Sequence, residues 1–289
     1  MSLPNTDGIE AVLWDDWHPV AELSTLHQDR RLDTRLLGQP LTIALTADGA
    51  IGAHSGPQTL PYVATRYGFA WVCLGTPAQD IVRFEAADEP DRIPVTGGSV
   101  AVAASGLRAI ENFLDLGHLG YVHQGYLGEE PHTDIKPYSV GPREGGGIRA
   151  TGCRVYQPKP SPADTSGYEV NYIYEVHRPY VVVLYKANPV DRTRMDLIAL
   201  LLQPVTEESC VAHSFMSYPP HDVDEKSVRG FQQLIFGQDR PILENQLPKR
   251  LPLDPRAEIS VRADSSSAQY RRWLGQIGVR FGAIAQTAA

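Results

Sequence analysis

Cysteine is scarce: three residues, at 73, 153 and 210, stand far apart in a chain of 289. That spacing frames no disulfide-stapled domain. Basic clusters are missing too, and the net charge is -8, which argues against nucleic acid or an anionic membrane surface as a partner. No apolar run approaches the roughly eighteen residues of a membrane span. The first residues, MSLPNTDGIEAVLWDDW, lack the basic and apolar stretches of a signal peptide, so a cytoplasmic location is expected. A nucleophile elbow of the GxSxG type, a Walker loop and a GxGxxG turn are all missing, so a nicotinamide or flavin site in this chain is not expected.

What is present reads as α+β, with length for one large domain or two modest ones. Residues 1–100 form a β-rich stretch. Strand-like runs at Leu36–Leu45 and Tyr62–Leu74 are separated by Asp48-Gly49 and Ser55-Gly56-Pro57, and a polar linker follows at Glu85–Pro94. Residues 101–289 are expected to form the second unit. Its strand candidates are Ile148–Tyr156, Tyr168–His177, Tyr180–Ala187, Met195–Gln203 and Cys210–Tyr218, which follow the turn Gly145-Gly146-Gly147. Short turns between them predict an antiparallel sheet. The segment 160–164 reads as a loop insertion, a lid or a partner contact. Ser227–Gln246 is predicted as a long helix, broken near Gln238–Arg240 because Pro241 removes a hydrogen bond and crowds the preceding turn. Ser265–Phe281 is predicted as a closing helix capped by Asp264 or Ser265.

The most informative stretch is Glu111–Leu127, ENFLDLGHLGYVHQGYL, which holds Asp115, His118 and His123. Two imidazoles and a carboxylate on one face of an iron are the ligand set of mononuclear non-haem iron(II) oxygenases. Asp115 and His118 share a helix face, but His118 and His123 lie about 140° apart on an ideal helix. Both reach one metal only if the helix loosens between them, and Gly120 is the expected weak point. Otherwise they are partly buried histidines bonded to backbone. Asp239 has a plain alternative as a surface carboxylate paired with Arg240. Asn245, close by, is a candidate to project towards a pocket. His132, His177, His213 and His221 show no ligand spacing, and no second metal site is expected from them.

Glu111–His123 resembles the iron motif of the Rieske non-haem iron oxygenases, in the branch of the vanillate and dicamba O-demethylases and methylxanthine N-demethylases. The similarity extends to Phe236–Gln246, Leu251–Asp254, Arg262–Asp264 and Tyr270–Leu274, and at the other end to Trp17–Ala21, Arg35–Gly38 and Arg66–Val72. The resemblance implies a helix-grip fold, a curved antiparallel sheet around a long helix. It also implies iron(II) held by His118, His123 and Asp239, with Asp115 bridging towards an electron donor. Asn112 and Gln238 are expected to act beside the ligands or on substrate.

One part of the pattern is missing. A Rieske [2Fe–2S] centre takes two cysteines and two histidines, spaced in this family as C-x-H and C-x2-H; no C-x-H occurs here, and the one C-x2-H, Cys210–His213, stands in a strand candidate far from the cluster loop. His54 stands alone in Asp48–Pro57, where the cluster loop belongs, so residues 1–100 resemble a Rieske domain without its cluster. That departure matches a cluster-less type, which removes the N7-methyl group of 7-methylxanthine with O2 and releases formaldehyde. The type implies electrons from NAD(P)H through a separate Rieske-containing reductase, a small glutathione-transferase-like partner, and a homotrimer or hetero-oligomer. An O-demethylase of a methoxylated aromatic, and a non-catalytic ligand-binding or structural subunit, are the other readings.

Overall fold

The structure, a computed structural model, describes residues 2–159, 166–189, 191–220 and 224–286. The loop segment 160–164 and His221 lie outside the described residues. In chain order the strands are β1 (His18–Glu22), β2 (Arg31–Leu36), β3 (Gln39–Leu45), β4 (Ile51–Ser55), β5 (Gln58–Leu60), β6 (Val63–Arg66) and β7 (Phe69–Val72). They continue as β8 (Ile93–Val102), β9 (Ser139–Pro142), β10 (Ile148–Gln157), β11 (Tyr168–Arg178), β12 (Val181–Ala187), β13 (Met195–Thr206) and β14 (Ser209–Tyr218). The helices are α1 (Ala11–Trp14), α2 (Leu23–Asp29), α3 (Gly106–Leu114), α4 (Leu119–Val122), α5 (Glu225–Asn245) and α6 (Ser265–Gln276).

Strands β10 to β14 fall where alternation places them. With β8 and β9 they build one antiparallel sheet of order β8-β14-β13-β12-β11-β10-β9. β13 explains why its run reads as almost continuously apolar. Leu197, Ala199 and Leu201 join Phe69, Trp71 and Phe84 in one buried cluster. Leu200 and Leu202 enter another cluster, which contains Leu107, Ile110 and Leu114 of α3. A strand buried on both faces loses its polar half. Helix α5 runs along β8, α3 lies against β12–β14, and α6 against β9 and β10, so helices line the gripping face.

Residues before β8 form a three-stranded sheet, β1-β7-β6, and a four-stranded one, β2-β3-β4-β5. Each of the two strand runs expected here takes in a hairpin turn, Tyr62–Leu74 holding both arms (β6 and β7) and Leu36–Leu45 the last residue of β2 and all of β3. Leu36–Leu45 turns at Leu37-Gly38, with φ of 50° and 79°, and Tyr62–Leu74 turns at Tyr67-Gly68, with φ of 57° and 80°. Positive φ at both central residues matches the strand twist of a two-residue hairpin. The seven-stranded sheet draws its first strand from Ile93–Val102, so the division expected at residue 100 falls inside β8.

Helix α5 runs unbroken through Pro241, contrary to the expected break. One proline in a helix costs about 3 kcal/mol. Val228, Ile235, Phe236 and Leu243 on its inner face are buried, at about 1.5–3 kcal/mol each, and outweigh that cost. The closing helix is shorter than expected, ending at Gln276 just before Gly278, whose φ is 77°. Asp264 is its N-cap residue, but the carboxylate accepts from the Val261 amide and not from the helix.

Candidate metal centre

Local chemistry at the end of α3 creates the site. Asp115 stops the helix by accepting the amide protons of Gly117 at 2.8 Å and His118 at 3.2 Å. The chain turns there and restarts as the single turn α4, with His118 at its N-cap and His123 at its C-cap. The interruption thus lies at Asp115–Gly117, not at Gly120. Gly120 sits inside α4, where a Cβ would meet Thr133 Cγ2 at 2.9 Å, and Gly128 packs on it so closely that a Cβ there would come within 2.7 Å of the Gly120 Cα. That approach holds the loop after His123, whose carbonyl accepts from the Tyr126 and Leu127 amides.

Three donor atoms converge as a result. His118 Nε2 and His123 Nε2 are 3.2 Å apart, and Asp239 Oδ1 from α5 lies 3.4 Å and 3.0 Å from them. Among the described residues this is the one group of three that could hold a metal ion. Two donors at right angles on a metal with bonds of about 2.1 Å sit about 3 Å apart, so the spacing fits a small transition ion. The outer ring nitrogens are engaged: His118 Nδ1 meets Asp115 Oδ2 at 3.1 Å, and His123 Nδ1 meets Gln238 Oε1 at 2.9 Å. With a proton on each Nδ1, both Nε2 atoms turn bare lone pairs inward. Asp239 Oδ1 is buried beside them, close to both rings but in hydrogen-bond geometry with neither. Three donor atoms turned inward in this way could hold a cation.

The electrostatics agree. Burial alone would lower the His118 imidazole, but Asp115 and Asp239 outweigh it and hold the pKa up at about 9. Burial would raise Asp239, yet the two imidazoles bring it down to about 2, and His118 and backbone amides likewise lower Asp115 against its burial. A proton on His118 occupies the place that a metal would take.

Two openings meet at this centre. An inner cavity of about 80 Å³ is lined by His118, His123 and Asp239 together with Phe113, Tyr172, Tyr174, Lys186 and Gln232. An outer groove of about 460 Å³ reaches Asp115 and His118 between Ile242, Asn245, Gln246 and Ile259. Asn112 lines both. Asn245 faces the outer groove, not the inner cavity, and donates to the Pro241 carbonyl. A larger surface groove of about 820 Å³ along α6 contains none of the donors. The floor of the outer groove is anchored by Arg108, fully buried, which donates to Glu111, Glu258 and the Pro248 carbonyl, while Arg271 pairs with both glutamates. The cavity residues had a usable signal. Tyr172 and Tyr174 alternate onto the buried face of β11, and Gln232 and Ile235 precede Asp239 by two helical turns and one.

Four other histidines among the described residues are engaged elsewhere. His132 packs on Tyr156, His177 on Phe84, and His213 bonds Ser99. His54 pairs with Thr59 across a hairpin. Cys73, Cys153 and Cys210 are free and buried, and burial pushes each thiol up to about 12.

Residues 102–280 match the family described as "Vanillate O-demethylase oxygenase C-terminal domain". The chain is 44% identical to a probable methylxanthine N7-demethylase, NdmC, of Pseudomonas sp. (strain TJI-51), over 93% of this chain and 95% of that one. It is 27% identical to the methylxanthine N1-demethylase NdmA of Pseudomonas putida, over 73% of this chain and 59% of that one. The solved structure of Pseudomonas putida CBB5 NdmA with caffeine superposes with a TM-score of 0.73 at 21% identity, covering 91% of this chain and 90% of that one. A helix-grip sheet, the family match and a relative of this similarity along nearly the whole length lead to one conclusion: the chain belongs to the Rieske non-haem iron oxygenase family, in its methylxanthine-demethylase branch.

Proposed function

We propose that this chain is the oxygenase component of an N-demethylase that hydroxylates an N-methyl group of a methylxanthine such as 7-methylxanthine. His118, His123 and Asp239 would hold iron(II). The convergence of three inward lone pairs beside an aromatic cavity carries this reading. Its relatives' names supply the substrate class.

The reaction balances with one dioxygen, two electrons and two protons for each methyl group. One oxygen atom enters a methyl C–H bond to give an N-hydroxymethyl group, and the other leaves as water. The hydroxymethyl compound then splits its N–C bond, returning the ring N–H and releasing formaldehyde. Iron(II) bound there supplies the capacity to bind and reduce dioxygen. The protein's residues do the rest. Phe113, Tyr172 and Tyr174 line the cavity with aromatic surface that can pack against a purine and keep water from the reacting carbon. Asn112 and Gln232 bring carboxamides to the same cavity, suited to the ring carbonyls and nitrogens of a neutral heterocycle. Asp115 holds His118 with its inner side and shows its carboxylate in the outer groove, where a donor protein can meet it. The donor is a separate Rieske-containing reductase fed by NAD(P)H, since the lone C-x2-H pair, Cys210 and His213, has no C-x-H pair to complete the four ligands of a cluster. A glutathione-transferase-like partner and a trimeric or mixed assembly complete the proposal, as does a cytoplasmic location.

Anaerobic iron(II) loading tests it. We expect about one iron per chain in the wild type and none in Asp239→Ala, then formaldehyde release from 7-methylxanthine with an added Rieske reductase. A wild type that binds no iron sinks the oxygenase reading.

A further inference from the structure

His123 is gripped at both ring nitrogens by consecutive residues of one helix. Its Nδ1 lies 2.9 Å from Gln238 Oε1, and its Nε2 lies 3.0 Å from Asp239 Oδ1. Neighbouring side chains on a helix diverge by about 100°, so α5 reaches both ring edges only because the imidazole enters between them. Building on the iron reading above, we propose that Gln238 is a positioning residue that sets the tautomer of His123. It accepts the Nδ1 proton and keeps the Nε2 lone pair bare towards His118 and Asp239.

The argument rests on competition for a single proton. A neutral imidazole carries one N–H, and the His123 side chain is 1% exposed, so bulk water does not compete for it. Without Gln238, the acceptors within reach of the ring lie on its Nε2 side, the Asp239 carboxylate at 3.0 Å and His118 Nε2 at 3.2 Å, which draw the proton to Nε2 and block the inward position. A carboxamide wins the proton for Nδ1 without adding charge to a site that already holds Asp115 and Asp239. Outer partners of this kind orient ligating histidines generally, and their loss costs about 10–100-fold in metal affinity. Gln238 has no other hydrogen bond among the described residues that would give it a different structural task.

The test compares Gln238→Met, which keeps length but removes the acceptor, with Gln238→Glu, which keeps the acceptor. Iron(II) affinity is measured anaerobically by chelator competition. The tautomer is read from two-bond ¹H–¹⁵N spectra of histidine side chains in the metal-free full-length protein. We expect Q238M to bind iron about 10–100-fold more weakly, with its His123 proton moved to Nε2. Q238E should stay within about threefold of wild type with the proton on Nδ1. Wild-type affinity in Q238M overturns the proposal, and so does a Q238E as weak as Q238M. A wild-type ring protonated on Nε2 does the same. A wild type that binds no iron but carries the Nδ1 proton overturns the iron reading and leaves the tautomer assignment standing.

Discussion

The two imidazoles of the centre point the same nitrogen at the same place, yet they live in different surroundings. His118 is 14% exposed and leans on a carboxylate, Asp115, that is itself 29% exposed at the outer groove. His123 is sealed, and leans on a neutral carboxamide from the long helix. A carboxylate partner makes an imidazole more electron-rich than an amide does, and only His118 has a polar path to the surface. The centre is therefore asymmetric. On the proposed function, one ring would receive electrons from outside, and the other would anchor the ion to α5.

That asymmetry can be broken in order of severity. Removing an inward donor is the harshest change: His123→Ala should abolish iron binding, read as metal per chain, and iron retained near the wild-type level would mean the donor set is wrong. Asp115→Asn should keep iron but lower reductase-driven turnover by about 10–100-fold, with formaldehyde release in a single turnover of pre-reduced protein much less affected. Equal losses in both assays would assign Asp115 to the chemistry and not to electron entry. Swapping the partners, Asp115→Asn with Gln238→Glu, should leave iron bound without restoring turnover, because the charge then sits on the sealed ring. Recovery of turnover in the swap would show that charge matters and position does not.

The gentlest test concerns the ground under His118. Burial would raise the Glu258 carboxyl, but Arg108 and Arg271 hold it down at about 2. A depressed acid contributes stability above its unfolded value of 4.5, and that contribution is lost as pH falls towards 2. Glu258→Gln should flatten the dependence of Tm on pH across that window while changing iron content little. An unchanged acid profile would remove Glu258 from the account.

How far the chain could be read in advance varied with the kind of signal. Alternation disclosed β10 to β14, because their buried faces have period two, and the family resemblance, not spacing, named the three side chains that the fold brings together. Turns were harder. Leu37 and Tyr67 adopt positive φ, where glycine or asparagine is the usual sign, so two hairpins looked like single strands. The helix interruption was placed at the flexible residue, Gly120, whereas an aspartate capping its own next residues makes it at Asp115. Pro241 misled in the other direction, since the cost of a lost hydrogen bond says nothing about the burial set against it. The cavity residues come from separate strands and helices, and no local pattern gathers them.

The back of the seven-stranded sheet has a bearing on what this chain can shed. Val181, Val183, Leu197, Ala199, Leu201 and Phe215 are covered there by Phe69, Trp71, Ile81, Val82 and Phe84. Stripped of that cover, they would form a bare oily wall on the surface, the kind of patch that drives proteins to clump. The segment before β8 therefore has a reason to persist that is independent of any cofactor. A chain whose opening segment does no electron chemistry is still obliged to carry it, as a building keeps a wall that holds up its roof.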